Sequence, residues 1–310
     1  MYFKLNKIIK ETLLVLSFGI LAGMHPLYTS NITAVNNTQY AAQINSPVAI
    51  SNTDTDTVVD SGEEIYVCEC YDDLFKTVRE QLLARNKTFA VKYTGSNSDQ
   101  VLNTETFMGF LDKIFLYDDP NSSSDYDYLK LSWTNAQLSV EKKEGYTYYK
   151  FTFGYLTAAF EEKQIDEKVK ETLKELNLKD KDNYSKIEAI NRYVVDNVSF
   201  DKSMQNKSAY TALFKGSALC RGYVLLAYKM LNDLDVPVRV ITGKGNGQPH
   251  TWLIVKINDY WYNLDITWND QTHSNNFFLK CDKEFYFHKE DDSFKTEEFK
   301  KTYSKAVVSY

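Results

Sequence analysis

His250-Thr-Trp-Leu-Ile-Val-Lys-Ile257, then Asn258-Asp259, then Tyr260-Trp-Tyr-Asn-Leu-Asp-Ile-Thr-Trp268 reads as two β-strands joined by a two-residue turn. Apolar and aromatic residues dominate both runs, and Asn-Asp suits a hairpin turn. The turn sets the register: Ile257 opposes Tyr260 and, further out, His250 opposes Thr267. Asp265 then shares a face with His250, one diagonal step away and within side-chain reach. A carboxylate in an otherwise apolar strand needs a polar partner. The imidazole provides one, and the carboxylate in return fixes its tautomer and stabilises imidazolium.

Upstream, Gly216-Ser-Ala-Leu-Cys220-Arg-Gly222-Tyr223 leads into an apolar helix expected over 218–234. Ser217 is the expected cap, which places Cys220 in the first turn. There the helix dipole and unpaired amides favour thiolate and can hold an oxyanion. Gly222 lets another segment approach closely. A Cys at an apolar helix start is, taken alone, more often a packing residue. Cys220, His250 and Asp265 together supply nucleophile, base and orienter, each on a regular element. A metal reading of the three lacks the paired Cys/His spacing of zinc sites.

Cys220-Arg-Gly222-Tyr223, His250-Thr-Trp252 and Trp261-Tyr-Asn-Leu-Asp265-Ile-Thr267-Trp268 resemble the core motifs of the transglutaminase-like superfamily. The match runs upstream to Ser185–Phe200 and Ala209-Tyr210, and downstream to Phe277-Phe278-Leu279, roughly the C-terminal half. It looks most like the exported transglutaminase-domain proteins of Gram-positive bacteria. The resemblance implies a papain-like α+β core. By position it makes Cys220 the nucleophile, His250 the general base and acid, and Asp265 the orienter. It implies acyl transfer on protein or peptide amides through a thioester, by a peptidase, amidase or transglutaminase. The alternative is a catalytically inactive binding or scaffold protein of the cell envelope. Leu253 stands where the family often has Asn, and Ile266 where it often has Pro. Tyr210 is the guess for a second oxyanion donor, against a plain packing role.

Further out, a small α+β region is expected over 63–160 and the transglutaminase-like domain over 161–310. Helices are expected over 72–86, 105–115 and 166–176, with another opened by a Ser185–Glu188 capping box. Strands are expected over 88–93, 128–133, 136–141, 146–155, 238–242 and 250–257. Gly243-Lys-Gly245-Asn-Gly247 leads into a strand rather than a helix, so it reads as a mobile loop beside the cleft, not a phosphate cradle. Cys68-Glu-Cys70 lacks redox spacing; on one strand the two side chains would share a face, as a disulfide or packing pair. Cys281 and His288 are assigned to structure near the C-terminus, and His273 to a polar loop. The charge runs 161–174 and 289–301 read as solvated helix faces.

At the N-terminus Lys4, Lys7 and Lys10 precede the apolar run Leu13–Gly23, the pattern of a secretory leader over 1–34. A polar, small-residue linker is expected over 35–62. A secreted or cell-surface protein follows, touching a membrane only through an uncleaved leader. The chain has 310 residues with 36 basic and 42 acidic side chains, a net charge of −6, and 43% hydrophobic residues. That balance is globular, and it argues against nucleic acid as a partner. Four cysteines do not make a disulfide scaffold at this length. The expected partner is a protein or peptide substrate, with no cofactor.

Overall fold

The computed structural model describes residues 65–96, 102–103, 106–115 and 127–310. The leader (1–34) and linker (35–62) lie outside the described residues. In chain order the elements are β1 (Ile65–Cys68), α1 (Tyr71–Leu83), β2 (Thr88–Tyr93), α2 (Phe107–Ile114), α3 (Asp127–Ser132), β3 (Trp133–Lys143) and β4 (Tyr146–Tyr155). Then come α4 (Ala159–Leu176), α5 (Asn183–Asn197), β5 (Ser199–Phe200), α6 (Ala209–Lys215), β6 (Ser217–Ala218) and α7 (Cys220–Asn232). The last are β7 (Val238–Gly245), β8 (Gln248–Ile257), β9 (Tyr260–Leu264), α8 (Ile266–Thr272), β10 (His288–Glu290) and α9 (Glu297–Thr302). The fold is mixed α+β. Among the described residues no helix is long and apolar enough to cross a membrane.

The described residues divide into two compact units. One holds Asn191–Val224 and Val240–Tyr310; the other holds the residues up to Ile190 together with Leu225–Arg239. Residue 160, where the sequence suggests a boundary, lies inside the second of these.

In the unit that ends at Arg239, the sheet order is β1-β2-β4-β3, with β1 parallel to β2 and the other pairs antiparallel. Strict alternation along β4 buries Thr147, Tyr149, Phe151 and Phe153 on one face. Leu74, Val78 and Leu82 recur at helical spacing on α1, and Phe107, Phe110, Leu111 and Ile114 on α2. They join the same core as that face of the sheet. Each such aliphatic contributes about 1.5–3 kcal/mol by burial. Of residues 128–133, expected as a strand, 128–132 instead lie in α3 and Trp133 opens β3. Ser132 Oγ donates back to the Leu129 carbonyl at 3.0 Å, and buried Asp127 holds Arg239 through two contacts of 2.6 and 3.0 Å. The α5 cap is also corrected: Asp182 Oδ1 accepts the Ser185 amide at 2.7 Å, so the helix opens before the expected capping box. The charge run on α4 is not wholly solvated, because Glu162 meets buried Arg85 at 3.1 Å and the Tyr128 hydroxyl at 3.0 Å. Cys68 and Cys70 are free; Cys68 ends β1 and is buried, while Cys70 precedes α1 and is exposed, so they do not share a strand face.

The other unit contains the second sheet, ordered β10-β7-β8-β9. Its β8–β9 register is the expected one, with Ile257 opposite Tyr260 and Leu253 opposite Leu264. The pairing ends there, and 266–272 is helix rather than strand. Gly243, Lys244 and Gly245 belong to β7, not to a loop. The turn is only Asn246-Gly247, with φ of 49° and 80°. Two successive left-handed residues match the twist of a tight hairpin.

Candidate active site

Cys220 is the first residue of α7, so its amide lies outside the helix's own hydrogen-bond ladder. Ser217 does not cap α7: it lies in β6, paired with Ser199, and the Leu219 carbonyl receives the Gly222 and Tyr223 amides at 2.9 and 3.2 Å. The loop before Cys220 is pinned by Asp201, whose carboxylate accepts the amides of Ser203, Gln205 and Asn206 at 2.8–2.9 Å. Burial opposes the charge on Asp201, but the Ser203 hydroxyl and these amides outweigh it and bring the carboxyl to about 2. The Asn206 carbonyl then accepts the Leu219 amide at 2.7 Å, one residue before the thiol. A Cβ on Gly222 would stand 2.9 Å from the Ser208 carbonyl and 2.6 Å from the Ala218 Cβ, which is the close approach its glycine permits. The Tyr223 hydroxyl, 3.0 Å from the Val198 carbonyl and 2.6 Å from Asp270 Oδ2, holds the same turn from below.

His250 and Asp265 meet as expected, by a different local route. Asp265 is the N-cap of α8: its Oδ1 accepts the Trp268 amide at 3.1 Å. Its Oδ2 lies 2.7 Å from His250 Nε2. That leaves Nδ1 free of Asp265, and Cys220 is close enough to help raise the imidazole. Burial alone would lower the imidazole, but the charge and hydrogen bond of Asp265, with Cys220, raise it to about 10. Burial likewise penalises the Asp265 carboxylate, and His250 followed by His288 hold it well below the usual carboxylate range. His250 is 5% exposed and Asp265 1%, so both interactions act with little screening by water.

The imidazole is held on both sides. Its ring lies 5.3 Å from that of Trp268 and 6.2 Å from that of Trp252. Gly245 packs against it: an added Cβ would be 2.9 Å from His250 Cδ2 and 2.9 Å from Trp268 Cζ2. The Gly243–Gly247 stretch therefore does border the site, as a strand end.

The sequence assigns His288 to structure near the C-terminus. The structure brings it onto the same carboxylate oxygen, with Nε2 2.9 Å from Asp265 Oδ2. Nothing in the three motifs signals it; the only cue is a histidine closing the aromatic run Phe285-Tyr286-Phe287. The Asp265 cap was legible, because Asp before an apolar residue is a helix-start signal. Tyr210 packs on Phe214, ring centres 4.7 Å apart, and His273 is exposed at the end of α8. Cys281 is buried in packing. Among the described residues, His250, Asp265 and His288 bring ligand atoms within 4.8 Å of one another, a spacing that could hold an ion. The contacts joining them are hydrogen bonds, each imidazole to one shared oxygen.

Residues 170–266 match the family model of the transglutaminase-like superfamily. Three solved structures are similar. A TGase matches at 16% identity and TM-score 0.30, covering 67% of this chain and 59% of that one. A candidate cysteine protease from Cytophaga hutchinsonii matches at 17% identity and TM-score 0.30, covering 44% and 65%. A candidate protease from Parabacteroides distasonis matches at 10% identity and TM-score 0.26, covering 57% and 40%. The matched part spans less than two thirds of each of those chains. No curated protein matches this chain.

Proposed function

We propose that the protein is an exported thiol enzyme that transfers acyl groups from protein or peptide amides. Cys220 thiolate attacks the amide carbonyl and the carbon–nitrogen bond breaks. His250 gives its proton to the leaving amine, and a thioester remains on Cys220. Water or a Lys amine then attacks the thioester, His250 takes the released proton, and the thiolate leaves. Water makes the protein a peptidase or amidase; an amine makes it a transglutaminase. The N-terminal amide of α7 is the first donor for the oxyanion of each tetrahedral intermediate. The basic-then-apolar pattern of residues 4–23 supports export, and with it a substrate of the cell envelope.

The observation that carries this reading is the buried His250–Asp265 pair, with Nε2 2.7 Å from Oδ2, in a site where Cys220 also raises the imidazole. The test is the iodoacetamide alkylation rate of Cys220 against pH, mapped by peptide mass spectrometry. Fast labelling below about pH 7, lost in His250→Ala, is the expected result, since a free thiol titrates near about 8.5. Cys220→Ala then abolishes amide turnover. Labelling that tracks an ordinary thiol overturns the reading and leaves a binding module on the same fold.

A further inference from the structure

His288 adds a second imidazole to the carboxylate that serves His250. Its side chain is 1% exposed. The ring stacks on Phe285 with centres 3.7 Å apart and 16° between planes, and it lies 4.3 Å from the ring of Trp268 and 4.9 Å from that of Trp252. Backbone pairing of His288 with Gly245 fixes it beside the strand end that also packs on His250. Its Nδ1 is buried with no partner, so one tautomer fits: Nε2–H donating to Asp265 and a bare Nδ1. An orphaned buried nitrogen carries a desolvation penalty that nothing returns. In this aromatic cage a Phe ring would pack without that cost. The donor at Nε2 is what an imidazole adds here.

We propose that His288 is a positioning residue for the proposed thiol chemistry, on whose reading this inference rests: a neutral imidazole whose Nε2–H holds the Asp265 carboxylate in register with His250. The two histidines share one oxygen and take opposite roles. His250 carries the positive charge, with its ring centre 5.5 Å from that of His288. A second charge there would repel it. Burial in the cage pushes His288 down, against the pull of Asp265, which keeps it neutral. The other charged groups near His288 are Asp282, Lys289, Glu290 and Lys295, which line a cleft of about 240 Å³ beside its ring. Lys305 pairs with both Asp282 and Glu290. Asp265 depends on its two donors because water does not reach it. Trp268 N–H fixes Oδ1, and without His288 only His250, the group that gives and takes the proton, would orient Oδ2.

The test uses the full chain with His288→Phe, which keeps an aromatic ring and loses the donor, and His288→Gln, whose amide nitrogen sits as many bonds from Cβ as Nε2 does. Alkylation of Cys220 at pH 6 falls roughly ten- to hundredfold in His288→Phe and recovers in His288→Gln, with the melting temperature of both near wild type. If His288→Phe does not fold, His288→Asn, whose amide stops short of Asp265, takes its place. Wild-type labelling in the Phe variant, or an equal loss in Phe and Gln, overturns the proposal. A second readout separates it from the thiol reading. In a Cys220→Ala background, ¹⁵N NMR of His250 reports its coupling to Asp265 directly. Its titration moves down in His288→Phe whether or not Cys220 is a nucleophile; an unchanged or raised titration overturns the positioning role.

Discussion

Asp265 serves His250 and α8 with different oxygens: Oδ2 lies 2.7 Å from the imidazole, while Oδ1 caps the helix through the Trp268 amide at 3.1 Å. The backbone that starts the helix thereby aims the carboxylate. The side chain cannot rotate toward another partner without uncapping α8. Charge and geometry are separable here by substitution.

Asp265→Asn keeps an oxygen for the cap and removes the charge. The expected outcome is a folded protein whose amide turnover falls by about 10²–10⁴, as when a triad orienter loses its charge. Asp265→Ala also loses the cap and strands two imidazole donors, for a further stability loss of about 2–4 kcal/mol. Urea unfolding of the two variants, set beside their activity, checks the separation.

Gly245 sets the floor under the imidazole. Gly245→Ala puts a methyl 2.9 Å from His250 Cδ2 and 3.0 Å from Cγ, so the ring must move. A displacement of this kind costs roughly a hundredfold in rate. Gly109→Ala is the control: it lies on α2 with nothing within 4 Å of an added Cβ, and it gains about 0.5–1 kcal/mol as a helix-interior glycine replaced by alanine. Loss of activity in the first variant with normal activity and a raised melting temperature in the second is the expected pair.

Asp127 and Arg239 form a buried ion pair, with side chains 8% and 10% exposed. Asp127→Ala takes both carboxylate contacts away from a buried guanidinium, and the expected loss is about 3–5 kcal/mol. Asp127→Leu with Arg239→Met removes both charges and recovers most of it. Denaturant midpoints of the single and double variants test this, and equal losses in both would contradict it.

The hairpin register was legible because an Asn-Asp turn fixes every opposed pair outward from it, and Leu253 opposite Leu264 follows from Ile257 opposite Tyr260. A helix opening around Cys220 was legible from small residues giving way to an apolar run, but not its first residue: the expected start at 218 and cap at Ser217 fall in β6. The end of β9 was not read, although its cause is local: Asp265 offers its side chain to Trp268, and a cap outcompetes the alternation of a strand. That also explains Ile266. It is the first residue of α8, a position where proline is equally at home, so the departure from the family pattern leaves the site unchanged. Residues 128–132 misled for a nonlocal reason. Their alternation is genuine, but Asp127 is anchored by Arg239, more than a hundred residues away, which no local pattern shows. His288 was invisible for the same reason, since only the β7–β10 pairing carries it to Asp265.

The last prediction follows from proton linkage. Burial lowers the His250 imidazole, but Asp265, with a contribution from Cys220, raises it from 6.5 to about 10. Between those values the folded protein holds a proton that the unfolded chain has released. Stability therefore falls as pH rises through the window; the contribution is complete below 6.5 and gone above the folded value. One proton sets a limiting slope of about 1.4 kcal/mol per pH unit. Cys220→Ala is the background in which to measure it, because the thiol can exchange the same proton. Asp265 acts in the opposite direction and elsewhere: its lowered carboxyl contributes above 3.8 and is lost only as pH falls below that, so it leaves the alkaline window untouched. Urea unfolding from pH 6 to 10 is expected to show the decline in Cys220→Ala and to lack it in Cys220→Ala with His250→Gln. A flat profile in the first would mean that Asp265 by itself does not hold a proton on His250 in the folded protein.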